Sequence, residues 1–348
     1  MTESSQRILL FQTAFIGDVI LTLPLAQALR EQFPDAHIAF VAIPSAAPAL
    51  EHHPAINEIV IYDKRKAQRG LSGIRLMISR LRASSFDLAF IPHRSIRSAL
   101  IVWCARIPRR IGFSTSAGKF LFTDVVAPAT SAHEIERNLD LLKPLFDRRF
   151  PTALPNLYPN GMDRDIVTSI LAEPSLGASP SDLVAIAPGS VWATKRWPKE
   201  YFIGLGKLLR ERDVSIVLVG GKDDVILCDD IQRQIGDARV LNVAGKLSLL
   251  QSAELIRRCR VAVSNDSAPM HLAAAVRTPV VALYGATIPQ FGFAPLGPRD
   301  QIVETPGLPC RPCSIHGGNS CPVKTFACMH MISPAAVMAR IELILAAK

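Results

Sequence analysis

Short aliphatic runs alternate with helical stretches along the whole chain, and the alternation happens twice. Runs at residues 7–12, 37–43, 58–62, 87–92 and 110–113 have the length and apolar content of buried strands, with helical spacing between them at 17–33, 72–81 and 96–105. The pattern restarts with strand-like runs at 183–187, 214–219, 240–243, 261–264 and 280–284. Helical stretches at 199–210, 224–235, 249–258 and 269–275 separate them, and a last helix is predicted at 334–346. Such alternation predicts βαβ units and mostly parallel sheets. A composition of 49% hydrophobic but only 6% aromatic residues suits strands buried on both faces. At 348 residues the chain exceeds one ordinary core and predicts two domains.

A helix expected at 133–146 closes the first half. Pro144, Pro151, Pro155, Pro159, Pro174 and Pro180 punctuate the stretch that follows and mark the junction. The expected architecture is α/β: two Rossmann-like, doubly wound domains, residues 1–155 and 156–348, facing one another across a cleft. The C-terminal helix is expected to pack back across the junction. Ligands of such sheets bind beyond the carboxyl ends of the strands, so the loops there should carry the chemistry.

The net charge of +9 is concentrated. Residues 64–110 hold twelve Lys and Arg, against Asp87 as the one carboxylate. This predicts an anionic partner, with solvated helix faces as the bland alternative. A nucleic-acid-binding module is the remote alternative, disfavoured because aromatics are not interleaved with the basic residues. No apolar run reaches the ~18 residues that span a bilayer, and the start lacks the pattern of a secretory signal. The expectation is a cytoplasmic chain.

Four loops carry candidate chemistry. The first, Thr13-Ala14-Phe15-Ile16-Gly17-Asp18-Val19, lacks a dinucleotide fingerprint. Gly17 permits close backbone approach, and Asp18 is either a helix cap or a general base. The second contains Ser190, Thr194, Lys195 and Arg196 and leads through Trp197-Pro198 into a helix. Its hydroxyls and cations suit an anion that gains charge during reaction. The third, Gly220-Gly221-Lys222-Asp223-Asp224, offers a carboxylate for ribose hydroxyls or for capping. The fourth, Ser264-Asn265-Asp266-Ser267-Ala268-Pro269-Met270-His271, passes from a strand into an Ala-rich helix. Backbone N–H groups and the positive end of the helix dipole meet there, as a phosphate or pyrophosphate requires. Asp266 and Ser267 are caps or ligands at that point, and His271 is a phosphate donor or a structural histidine.

Cys310, Cys313, Cys321 and Cys328 form a C-x2-C-x7-C-x6-C series in a Pro/Gly-rich tail. Four thiolates so spaced are candidates for structural zinc or iron, with reduced structural thiols as the rival.

In order and spacing, Gly17-Asp18-Val19 with Leu21-Thr22-Leu23-Pro24-Leu25, Lys195-Arg196-Trp197-Pro198 and residues 264–275 resemble a known enzyme family. It is the ADP-heptose:lipopolysaccharide heptosyltransferases, glycosyltransferase family 9, which have the GT-B fold. Tyr284-Gly285-Ala286-Thr287 and the cysteine tail resemble in particular its heptosyltransferase II branch, with heptosyltransferase I or another member as the alternative. The resemblance implies inverting transfer of L-glycero-D-manno-heptose from ADP-heptose to an anionic inner-core acceptor, Kdo2-lipid A carrying its first heptose. It implies no catalytic metal and work at the cytoplasmic face of the inner membrane. Asp18 is then the base and Lys195 the group stabilising the leaving ADP. Gly17, Ser190, Thr194, Arg196, Asp223, Asp266, Ser267, Ala268, Pro269 and His271 are the donor contacts. Arg65, Arg94 and Arg97, from the basic stretch, face the acceptor.

Overall fold

The computed structural model describes residues 5–173 and 183–346, so Pro174 and Pro180 lie outside the described residues. The chain divides into two compact units, Met1–Tyr158 and Pro159–Lys348. The boundary falls three residues beyond the expected one.

In the first unit, β1 (Arg7–Phe11), β2 (His37–Ala42), β3 (Glu58–Ile61), β4 (Leu88–Ile91), β5 (Arg109–Phe113) and β6 (Asp124–Val126) form one sheet in the order β3-β2-β1-β4-β5-β6. Every pairing in it is parallel. The side chains of β1, Ile8 to Phe11, are fully buried, as a central strand covered on both faces demands. Helices α1 (Ile16–Gln32), α2 (Gly70–Ala83) and α3 (Ile96–Cys104) provide the crossovers. Because β2 and β3 build outward on one side of β1 and β4 starts on the other, the winding direction reverses between β1 and β4.

The helix expected at 133–146 is shorter. It is α4, Glu134–Asp140, capped by the His133 ring, which accepts from the Ile135 N–H. Pro144 disfavours helical geometry at the residue before it, and the chain continues as turns. Inside the proline-punctuated junction lies a helix that the punctuation concealed, α5 (Gly161–Leu171). Asn160 and Asp163 cap it reciprocally.

The second unit repeats the plan. Strands β7 (Leu183–Ala187), β8 (Ser215–Leu218), β9 (Val240–Asn242), β10 (Val261–Asn265), β11 (Val280–Tyr284) and β12 (Gln301–Glu304) are ordered β12-β11-β10-β7-β8-β9, again all parallel. Its reversal lies between β7 and β10. Helices α6 (Lys199–Arg210), α7 (Val225–Ile235), α8 (Leu249–Arg257) and α9 (Ala268–Ala275) are followed by a four-residue α10 (Ala327–His330) and α11 (Pro334–Ala346). The C-terminal helix α11 packs on α6 of its own unit, and Val337, Met338, Ile341 and Ile344 join Trp197, Phe202 and Leu205 in one apolar core. Strands β6 and β12 were not expected from the sequence. Both are short sheet edges with polar residues, Asp124, Gln301 and Glu304, and lack an aliphatic run.

Candidate functional site

Each sheet has one reversal point, and the candidate residues gather at both. In the second unit, the loop after β7 carries Gly189 to Trp197, and the loop after β10 opens α9. Asn265 fastens the two loops together. Its Oδ1 accepts from the Trp197 N–H at 3.0 Å, and its Nδ2 donates to the Pro188 carbonyl at 2.8 Å. Ser267 takes the N-cap position of α9 with Pro269 in the first turn, and its hydroxyl donates to the Gly189 carbonyl at 3.3 Å. The start of α9 is thereby held against the β7 loop, with its positive dipole end at the reversal point.

Lys195 and Asp266 meet there. The ammonium stands 2.6 Å from Asp266 Oδ2, with side-chain exposures of 12% and 8%, and the Thr287 hydroxyl donates to the same oxygen at 2.7 Å. Asp266 is therefore engaged by Lys195 and Thr287, and what it does locally is fix the ammonium in place. An ammonium has three donors, so those not spent on Asp266 remain for an anion. Arg196 is exposed and turns back on its own loop, donating to the Ser190 carbonyl at 2.7 Å. His271 is buried on α9.

Of the two readings of the third loop, capping belongs to Asp224. Its Oδ2 accepts from the Gly221 N–H at 2.9 Å, and its carboxyl lies so close to Gly189 that a Cβ there would sit 2.1 Å from Oδ1. Asp223 is left exposed beside it.

The cysteine tail acts as a strap across this site. Thr194 is buried and exchanges two hydrogen bonds with Gly318: Thr194 N–H to the carbonyl at 3.0 Å, and Gly318 N–H to Thr194 Oγ1 at 2.7 Å. On its other side the strap is pinned by the Cys313 N–H to the Ala286 carbonyl at 2.8 Å. The Arg311 guanidinium donates to the carbonyls of Gly285, Thr287 and Thr305 and to the Glu304 carboxylate. The tail thus holds both Thr287, which orients Asp266, and Thr194, next to Lys195. Thr194→Val leaves the half-buried Gly318 N–H without its acceptor. It is expected to cost about 1 kcal/mol of stability, measured by denaturant unfolding.

The tail was also the candidate metal centre. Cys313 Sγ donates to the Cys310 carbonyl, Cys321 Sγ accepts from the Phe326 N–H, and Cys328 is buried in the apolar core. Burial raises the Cys328 pKa, and Cys313, Cys321 and Cys310 lie near enough to raise it further, but among the described residues no three His, Cys, Asp or Glu side chains are grouped so as to hold a metal ion.

In the first unit the reversal point lies between the loops that follow β1 and β4. Asp18 occupies the first turn of α1, and its Oδ2 accepts from the Phe15 N–H at 3.0 Å. The capping role is real, and it leaves the carboxyl half-buried. Burial, reinforced by the charge of Glu134, pushes the Asp18 pKa up to about 6, against the lowering effect of its backbone hydrogen bonds and of Arg94. A carboxyl so placed changes charge near neutrality, as a general base requires.

Neighbouring groups form a chain that the sequence did not reveal. Lys64 donates to the Thr13 carbonyl at 2.6 Å, and His93 Nδ1 lies 3.1 Å from Thr13 Oγ1 and 2.8 Å from Ser98 Oγ. Burial and the nearby Lys64 hold His93 down at about 4, so its ring is neutral at pH 7. The twelve basic residues of 64–110 divide into two groups. Arg80 pairs with Glu58, Arg94 with the buried Glu134 at 3.5 Å, and Arg109 with Asp124, while Arg82 and Arg110 donate to backbone carbonyls. Of the three expected acceptor contacts, Arg94 is thus tied into the fold, whereas Arg65 and Arg97 are exposed.

The glycosyltransferase family 9 (heptosyltransferase) profile matches residues 74–320. The chain belongs to this family. Lipopolysaccharide heptosyltransferase 3 of Escherichia coli K12 is 30% identical over 282 residues, covering 78% of this chain and 80% of that protein. Lipooligosaccharide heptosyltransferase 2 of Haemophilus ducreyi is 28% identical over 322 residues, covering 86% and 88%. Among solved structures, E. coli ADP-heptose LPS heptosyltransferase II superposes with a TM-score of 0.79 at 25% identity, covering 98% of this chain and 99% of that one. The two doubly wound units are those of the GT-B class, and the family 9 chain is a glycosyltransferase. Among the described residues no helix is long and apolar enough to cross a membrane.

Proposed function

We propose that this family 9 enzyme moves L-glycero-D-manno-heptose from ADP-heptose to the first heptose of the Kdo2-lipid A inner core. It would do so at the cytoplasmic face of the inner membrane, with no catalytic metal. The single observation that carries the reading is the Lys195–Asp266 pair set beside the amino end of α9 at the reversal point of the second sheet. A diphosphate there meets an oriented ammonium, a helix dipole and the Ser190–Arg196 loop together. Asp18 takes the proton of the acceptor hydroxyl. The hydroxyl oxygen then bonds to the anomeric carbon from the face opposite the diphosphate. The bond from that carbon to the β-phosphate oxygen breaks, and its electron pair leaves on ADP. Charge gathers on the departing diphosphate, where Lys195, Arg196 and the α9 amides stabilise it. Asp223, exposed beside the β8 loop, is assigned to the ribose hydroxyls, and Arg65 and Arg97 to the acceptor's anionic groups.

The 30% identity to a heptosyltransferase 3 favours a second reading, in which the acceptor differs. Purified protein assayed with ADP-heptose against Kdo2-lipid A, its singly heptosylated form and its doubly heptosylated form separates the two. The proposal expects the singly heptosylated acceptor to give the highest kcat/KM. Preference for either of the others replaces the acceptor while keeping the donor.

A further inference from the structure

Helix α3 leaves one face uncovered. Ile96, Leu100 and Trp103 follow one another at helical spacing on that face, 51%, 38% and 49% exposed. The 3-10 turn Lys119–Leu121 is seated directly on the helix, so closely that a Cβ on Gly118 would lie 2.5 Å from that of Ala99. This turn adds Phe120, 72% exposed. Single exposed apolar residues are ordinary, but a grouped Trp, Phe, Leu and Ile is not scatter.

Along the segment that builds the group the charges have one sign. Between Asp87 and Asp124 the sequence contains no carboxylate, and the exposed Arg106 and Lys119 pair with none among the described residues. An aromatic and aliphatic face rimmed by cations matches the boundary of an anionic lipid bilayer, where rings sit at the headgroup level and cations meet phosphates. Helix α3 also starts beside the first-unit reversal point, where the Ser98 hydroxyl meets the His93 ring.

We propose that the α3 face and the adjoining 119–121 turn dock this enzyme on the anionic surface of a phospholipid bilayer. The inference deepens the membrane-face part of the proposed function and rests on it. Docking through α3 brings the loops after β1 and β4 to the lipid surface, where a lipid-anchored acceptor presents its sugars.

The test is co-sedimentation of the full chain with vesicles of phosphatidylethanolamine and phosphatidylglycerol, beside vesicles of phosphatidylcholine. The wild type is expected to bind the anionic vesicles and to be released by high salt. Trp103→Ser with Phe120→Ser, and separately Arg106→Glu with Lys119→Glu, are each expected to weaken binding ~10-fold or more. Turnover on a deacylated, water-soluble acceptor should stay at the wild-type level in both. The charge-reversed pair lies wholly at the surface, so it reports even if the apolar pair fails to fold. Docking through this face is overturned if the wild type ignores anionic vesicles, or if both variants bind them as it does. It is equally overturned if light scattering shows that the face joins two copies of the chain and the variants merely release monomers. Absence of heptosyl transfer with vesicle binding intact would instead count against the proposed reaction.

Discussion

Asp18→Asn is expected to lower turnover ~10³-fold while leaving donor affinity within about twofold. Asn keeps an oxygen for the Phe15 N–H, so the first turn of α1 survives and the loss reports proton transfer. The wild-type rate should rise with pH through about 6, because the base works only when ionised and burial holds its pKa there. Stability moves the other way. A carboxyl held at about 6 in the fold, instead of 3.8, binds protons more tightly when folded. The wild type therefore loses stability between pH 4 and 6, by at most ~3 kcal/mol, and stays lower above that range. Asp18→Asn removes this dependence, so its stability relative to wild type should climb over the same interval in denaturant titrations. Near-normal turnover in the variant would remove Asp18 from the chemistry.

Lys195→Met carries the second large effect. It strips the ammonium from a carboxylate that is almost wholly buried, which is expected to cost ~3–5 kcal/mol of stability, and it removes charge stabilisation worth ~10²–10³ in kcat. The two losses can be separated. Adding Asp266→Asn leaves no unpaired charge and should restore much of the stability, because Asn can still accept from Thr287. Activity should stay low in the double variant. Recovery of both together would make the pair structural only.

How much of this was visible beforehand depended on distance along the chain. Buried aliphatic strands such as Ile8 to Phe11 announce themselves, and their alternation with helices sufficed for two doubly wound units. The edge strands β6 and β12 did not, because an edge needs no continuous apolar run. Asp18, Lys195 and the 264–275 loop stood out because each lies where a strand-like run turns into a helix. His93 did not, nor did the tying roles of Asn265, Thr287 and Arg311, since their partners are groups reached through the fold. The basic stretch was read as one patch for a related reason. Composition counts Arg80, Arg94 and Arg109 with the rest, while the fold turns each toward a carboxylate. The strap from Thr194 to Gly318 joins residues 124 apart, and no local pattern hints at it.

The central claim is that the second unit's reversal point is the diphosphate site and Lys195 its cation. Crystals of the enzyme with ADP test it most directly. The account predicts phosphate oxygens within hydrogen-bonding distance of Lys195 Nζ and of the backbone at the start of α9. A diphosphate lodged instead in the first unit, with no contact to Lys195 or to the start of α9, would contradict it.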